Sequence, residues 1–218
     1  MKIQIKLRQG FTLVELLVVL VILASMVAIA APYGRGMLQR SKALHCNQNL
    51  RQIGAACMLY ASEHNMRLPE TTHQRSKGGK SWSLTLQPYS GDRLTFKCAQ
   101  DPIKARSYTY LINDFLTPNP SGAPFLNYSI LANIDRPGST FLFAEAAPGY
   151  RNADHFHFSP YYGGRVPAEV FEYQVASGAH GDKANYLFAD GHVQIRSQRE
   201  VRALLRSAQS GFVDPTPR

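Results

Sequence analysis

The longest apolar stretch of the chain runs from Phe11 to Ala31 and is broken only by Thr12, Glu15 and Ser25. At about 1.5 Å per residue, a helix of this length spans roughly 30 Å, the thickness of a bilayer's hydrocarbon core. Pro32, Gly34 and Gly36 follow directly. Proline removes a helical hydrogen bond and glycine weakens the helix, so a kink or meltable segment is predicted there. The period then becomes that of an amphipathic helix. Cys46, Leu50, Ile53, Cys57 and Ala61 recur at helical spacing, while Arg40, Lys42, Gln48, Arg51 and Glu63 fall mostly elsewhere. The pattern stops near His64-Asn65, and Pro69 confirms the stop. The first 64 residues thus read as one long helix, half membrane-sized and half carrying a single buried stripe.

After Pro69 the period shortens. Residues 71–81 are polar and read as a loop, and Trp82-Ser-Leu-Thr-Leu begins a short helix ahead of Pro88. Cys98 lies in a loop-like Phe-Lys-Cys-Ala-Gln-Asp-Pro stretch. Ser107 to Asn113 and Ser139 to Glu145 alternate enough to be strands, with Arg136-Pro-Gly as the turn before the second. Tyr186-Leu-Phe-Ala and His192-Val-Gln-Ile flank Asp190-Gly191, a strong hairpin signal. Arg199 to Ala208 reads as a short basic helix before a proline-containing tail. The class predicted is α+β: a long N-terminal helix packed on a small antiparallel sheet domain.

A basic leader precedes the apolar stretch. Residues 1–10 carry Lys2, Lys6 and Arg8 and end in Gly10, which keeps them cytoplasmic by the positive-inside tendency and sends the rest outward. Glu15 stands where charge is most expensive, and an ionisable residue inside a span needs a named partner. Cleavage between Gly10 and Phe11 would create that partner. The new α-ammonium would lie one helical turn before Glu15, positive at neutral pH, and could pair with Glu15 of its own chain or of a staggered neighbour. An ordinary secretory signal would instead be cut after the apolar stretch, near Ala-Ile-Ala-Ala. A plain anchor would have no use for Glu15, or for Gly10 at the apolar edge.

Gly10-Phe11-Thr12-Leu13-Val14-Glu15, with its basic leader and apolar helix, resembles the class III signal of type IV pilins and type II secretion pseudopilins. The resemblance is nearly complete over residues 6–24. It implies cleavage after Gly10 by a prepilin peptidase, N-methylation of Phe11 and a filament-assembly role for Glu15. It further implies single-pass anchoring in a bacterial inner membrane, with the C-terminal domain periplasmic. The implied partners are other pilin or pseudopilin subunits, an inner-membrane assembly platform and membrane lipid. The organisation expected is a cleaved leader (1–10), a transmembrane and assembly helix (11–31), a kinked amphipathic continuation (32–66) and a β-rich pilin-like domain (67–218).

A second resemblance covers most of the remainder. Cys46-Asn-Gln-Asn-Leu-Arg-Gln-Ile-Gly, Leu68-Pro69, Cys98-x-x-Asp101-Pro102, Ser107-Tyr108, Arg136-Pro137 and Ala144-Glu145 occur in order, followed by His180, nine residues and Asp190-Gly191-His192. This is similar to pilin-like proteins with an H-x9-DG domain of the planctomycete and verrucomicrobial type. Ala99 stands where that family more often has proline, and Ala179 where arginine often precedes the histidine.

The net charge is +9, of which the leader supplies +3. The rest is scattered, no nucleic-acid recognition motif accompanies it, and it reads mostly as solvated surface. Contact with an acidic polymer or lipid headgroups stays open. Cys46 and Cys57 are separated by about three helical turns, roughly 16 Å, so any intrachain bridge must use Cys98, with free buried thiols as the alternative. The second resemblance implies the pair Cys46 and Cys98.

His180, Asp182, Asp190 and His192 cluster in sequence around the hairpin and could ligate a divalent metal. Two histidines argue against calcium, which prefers an oxygen cage. The simpler expectation is architectural: Asp190-Gly191 makes the turn, and His180 pins the Gly-Ala-His-Gly loop against the hairpin. His155 and His157 share one strand face as a candidate ligand pair, beside Phe156, Phe158, Tyr161 and Tyr162, although packing on the sheet is the plainer reading. Asn127-Tyr-Ser129 fits a glycosylation pattern of little weight in a bacterial chain. No Gly-x-Ser-x-Gly element, phosphate loop or CxxC pair occurs, so neither catalysis nor a cofactor is expected. The favoured function is a prepilin-like structural subunit of a type II secretion pseudopilus or type IV pilus-like filament. The rival is a membrane-anchored binding module or metal-dependent enzyme that uses the signal only for export.

Overall fold

The computed structural model describes residues 11–72, 80–90, 96–118, 126–151, 154–157 and 166–216. The chain divides into two compact units, Met1–Ser41 and Lys42–Arg218. Helix α1 (Leu13–Glu63) contributes to both and runs through Pro32, Gly34 and Gly36, where a kink or a meltable segment was expected. In the first unit the window Leu13–Ala30 has a mean hydropathy of 2.9 and no buried residue. An apolar surface this continuous is stable only when something other than water covers it.

In the second unit, the α1 stripe Cys46, Leu50, Ile53, Cys57 and Ala61 is fully buried. The helix ends at Glu63, and Asn65 (φ 54°) and Met66 (φ 58°) reverse the chain in the left-handed region. Helix α2 (Trp82–Leu86) buries Trp82 edge-on against Phe143, Phe96 and Tyr108.

Among the described residues five strands follow: β1 (Tyr110–Asn113), β2 (Phe141–Glu145), β3 (His155–Phe156), β4 (Lys183–Phe188) and β5 (Val193–Ser197), in the spatial order β3-β1-β2-β4-β5. Helix α3 (Ala168–Gln174) precedes β4, and α4 (Gln198–Arg206) follows β5. The pairs β1–β2, β2–β4 and β4–β5 are antiparallel, whereas β3 runs parallel to β1. The sheet is therefore mixed, not purely antiparallel. Leaving β2, the chain reverses and passes beyond β1, and a strand that skips one neighbour in this way meets it in the same direction.

The sheet is covered on both faces. Tyr110, Ile112, Phe143 and Leu187 pack towards the α1 stripe and Trp82. Leu111, Phe141, Ala144, Tyr186 and Phe188 pack with Phe171 of α3, with Val201 and Leu205 of α4, and with Phe212. Two-sided burial makes β1 and β2 continuous buried runs, not the alternating strands expected of Ser107 to Asn113 and Ser139 to Glu145. A bulge between Phe141 and Phe143 breaks the register with β4 and turns both Leu142 and Phe143 towards the α1 side. Gly54 sets the spacing between α1 and β4, since a Cβ there would lie 2.8 Å from Leu187 Cδ1. The α4 N-terminus carries a capping box between Ser197 and Glu200.

Candidate functional site: the N-terminal signal and the histidine-centred clusters

Gly10 lies outside the described residues. Phe11 is 82% exposed and stands just ahead of the first turn of α1. Glu15 Oε2 accepts from Thr12 N at 2.8 Å and from Thr12 Oγ1 at 2.7 Å, while Thr12 Oγ1 accepts from Glu15 N at 3.2 Å. This is a capping box, with Thr12 as N-cap and Glu15 three residues on. Reading Glu15 for its charge alone missed the box, although Thr-x-x-Glu ahead of an apolar run is its sequence signature. Residues 5–31, which contain this turn, match the protein family described as the prokaryotic N-terminal methylation motif. The chain carries a prepilin-type signal. Comparison with curated proteins and with solved structures finds no match.

Cys46 and Cys98 form a disulfide with an S–S distance of 2.19 Å, and Cys57 is a buried free thiol whose pKa burial pushes up. The asparagines beside Cys46 tie the helix down. Asn47 Nδ2 donates to Asn185 Oδ1 on β4 at 3.0 Å, and Asn49 Nδ2 donates to the carbonyl of Lys97 at 2.9 Å. In the Cys98 loop, Asp101 accepts from Thr109 Oγ1 at 2.6 Å and from Ile103 N at 2.9 Å.

His180 meets this region. Its Nε2 donates to Glu145 Oε1 at 2.8 Å, Nδ1 contacts Gln100 Oε1, and Cys98 Sγ lies 4.0 Å from Nε2. The loop around it closes through His180 N to the Lys183 carbonyl, with Gly181 at φ +86°. His180 therefore pins its loop to the end of β2 and to the Cys98 loop, not to the Asp190-Gly191 hairpin as the spacing suggested. The nine intervening residues contain β4, whose six residues span about 20 Å and carry His180 and Asp190 to opposite ends of the strand. At the far end, Gly191 adopts φ +91°, and Asp190 Oδ1 accepts from His192 Nδ1 at 2.6 Å while the His192 ring stacks on Phe188. Asp182 is exposed, and its carbonyl accepts from Gln198 N at 2.8 Å. Among the described residues, these four do not form one ligand cluster.

An open cavity of about 460 Å³ lies beside this corner, with Cys98, Glu145 and Glu172 in its wall. All three are engaged: Cys98 in the disulfide, Glu145 with His180, and Glu172 with Arg202 at 2.7 Å.

His155 lies on the edge strand β3, and His157 directly follows it. His155 is fully buried, and its Nδ1 donates to Asp154 Oδ1 at 2.6 Å. Asp154 also accepts from Thr72 N and Thr72 Oγ1, each at 2.8 Å, and its carbonyl accepts from Trp82 Nε1 at 2.7 Å. Burial works against the Asp154 charge, but the bonds from His155 and Thr72 outweigh it and hold the carboxyl below its ordinary range. Of the neighbouring aromatics, Phe158, Tyr161 and Tyr162 lie outside the described residues.

Proposed function

We propose that this protein is a prepilin-like structural subunit, anchored in the inner membrane by residues 11–31, cleaved after Gly10 and N-methylated on Phe11. The observation that carries the reading is the methylation-motif match over residues 5–31, beside a helix whose window Leu13–Ala30 is wholly unburied. Once the leader is gone, that apolar surface has two coverings, lipid before assembly and neighbouring helices within a filament. Glu15 would meet the Phe11 amine of an adjacent subunit and remove two charges from lipid together. The disulfide-tied domain would face the periplasm and select partners, including the assembly platform. Both a secretion pseudopilus and a pilus-like filament use such a subunit.

Mass spectrometry of the mature N-terminus from native membranes tests this. N-methylated Phe11 is the expected terminus, and Gly10→Val should leave an uncleaved, membrane-embedded precursor. A terminus near Ala30 would mean ordinary signal-peptidase processing and would sink the proposal.

A further inference from the structure

We propose that Asp114, His155 and His157 form a binding site for a divalent transition-metal ion, with zinc the best fit to its two imidazoles and one carboxylate. One ligand atom from each lies within 4.8 Å of the others. Bonds of about 2 Å at tetrahedral angles require roughly 3.3 Å between ligand atoms, so binding would draw the three side chains together.

Each ligand residue is anchored by a neighbour, through its side chain or its backbone. His155 is a buried imidazole whose Nδ1 faces Asp154 Oδ1 at 2.6 Å, and with the proton on Nδ1, Nε2 is the nitrogen that can bind a metal. A carboxylate behind a histidine is the arrangement that fixes a ligand's tautomer and ring direction at metal centres. Asp154 is fixed in turn by Thr72 and by Trp82. His157 is exposed, yet Gln174 clamps its backbone from both sides, with His157 N donating to Gln174 Oε1 at 2.7 Å and Gln174 Nε2 donating to the His157 carbonyl at 2.9 Å. Asp114 is buried, and its Oδ1 accepts from Thr117 Oγ1 at 2.9 Å. His157 directly follows the two-residue strand β3, and its ring centroid stands 5.7 Å from that of His155, while Phe156 between them packs with Leu111 and Phe171 in the core. Two buried ligands and one exposed one give an ion a route in from solvent.

Among the described residues a second group of ligand-type side chains, Cys46, Cys98, Glu145 and His180, offers no thiolate while its sulfurs are joined. It therefore serves as the internal control. The test uses the full-length protein, purified without a histidine tag in detergent, stripped with chelator and dialysed against zinc. The expected result is one tightly held equivalent, weakened at least about tenfold in His157→Ala and in Asp114→Asn and unchanged in His180→Ala. His157→Ala keeps the test decisive even if the buried His155→Ala fails to fold, because an exposed ring contributes little to the core. Cobalt in place of zinc should give visible ligand-field bands without a thiolate charge-transfer band. Zinc held no more tightly by the wild type than by His157→Ala overturns the site. Binding lost in His180→Ala, or a cobalt–thiolate band, overturns it as well.

Discussion

His180 and Glu145, 35 positions apart in sequence, meet across a 2.8 Å hydrogen bond whose carboxylate is 1% exposed. Glu145 ends β2, and its other oxygen faces Asn185 N of β4 at 3.5 Å. The carboxylate thus joins two strands to the loop that carries His180 and, through Gln100, to the Cys98 loop. Truncating the imidazole leaves a buried carboxylate short of a donor, a penalty of about 1–3 kcal/mol. Denaturant unfolding of full-length His180→Ala should show a loss of that size. In a double-mutant cycle with Glu145→Gln, the coupling energy should be about 0.5–3 kcal/mol. Additive effects would show that the contact contributes nothing of its own.

The Cys46–Cys98 bridge closes a 52-residue separation between α1 and the loop before β1. A crosslink of that span stabilises by about 2–4 kcal/mol, chiefly by restricting the unfolded chain. Cys46→Ser should lower the unfolding midpoint accordingly. Unreduced peptide mapping should recover one linked pair, with Cys57 alkylated only after unfolding, because it is buried and burial holds it protonated. Three freely alkylated thiols in the native protein would contradict the assignment.

Much of this fold was written in the one-dimensional pattern, and what was not has physical reasons. The α1 stripe was legible because one-sided burial imposes a 3.6-residue period, and β1, β2 and β4 through their apolar residues and turn signals, although two-sided burial makes them runs where alternation was expected. The order β3-β1-β2-β4-β5 was not, since no local preference records which strand lies beside which. The two residues of β3 carry no period at all; they are positioned by β1, and the amide of Gln174 holds His157 just beyond them. Helix α3 is seven residues long, and its buried members Phe171 and Gln174 are too few to define a stripe. The cluster of Asp114, His155 and His157 was half visible as a histidine pair, but its carboxylate comes from the far end of β1. The partners of His180 were invisible for the same reason: the sequence set it beside Asp190, and β4 carried the two apart.

Asp154 should make the domain acid-sensitive. Its carboxyl is depressed in the folded protein by His155 and Thr72 despite burial. It stays charged when its unfolded counterpart, with a pKa of about 3.9, takes up a proton. The stabilisation is therefore complete above the unfolded value and is lost as pH falls through the lower folded one. Between pH 6 and 3, wild-type stability should fall more steeply than that of Asp154→Asn. Parallel pH profiles for the two proteins would exclude Asp154 as a contributor.

Gly54 brings α1 within reach of Leu187, and an added Cβ would stand 2.8 Å from Leu187 Cδ1 and 3.5 Å from the Gly191 carbonyl. Leu187 is fully buried and has little room to move. Gly54→Val should therefore destabilise the domain by about 1–3 kcal/mol through overpacking, even though glycine is the poorer helix former. Thermal unfolding reads this directly, and a more stable variant would show that the interface adapts freely.

Glu15 is in a position to do two things, and they are separable. It caps its own helix by accepting from Thr12 N and Oγ1, and the proposed assembly step asks it to meet the amine of a neighbouring Phe11. Glutamine can close the same capping box without the charge. Glu15→Gln should therefore insert and fold as the wild type does but enter filaments poorly, scored by shear-fraction or crosslinking yield in cells. Thr12→Ala should do the reverse, weakening the cap by about 1 kcal/mol while leaving the charge and most assembly intact. Glu15→Ala loses both functions and should resemble Glu15→Gln in assembly, while inserting more readily than wild type because a costly charge is gone. If Glu15→Gln assembles normally and Glu15→Ala does not, the residue acts as a helix cap and the charge-pairing step is wrong.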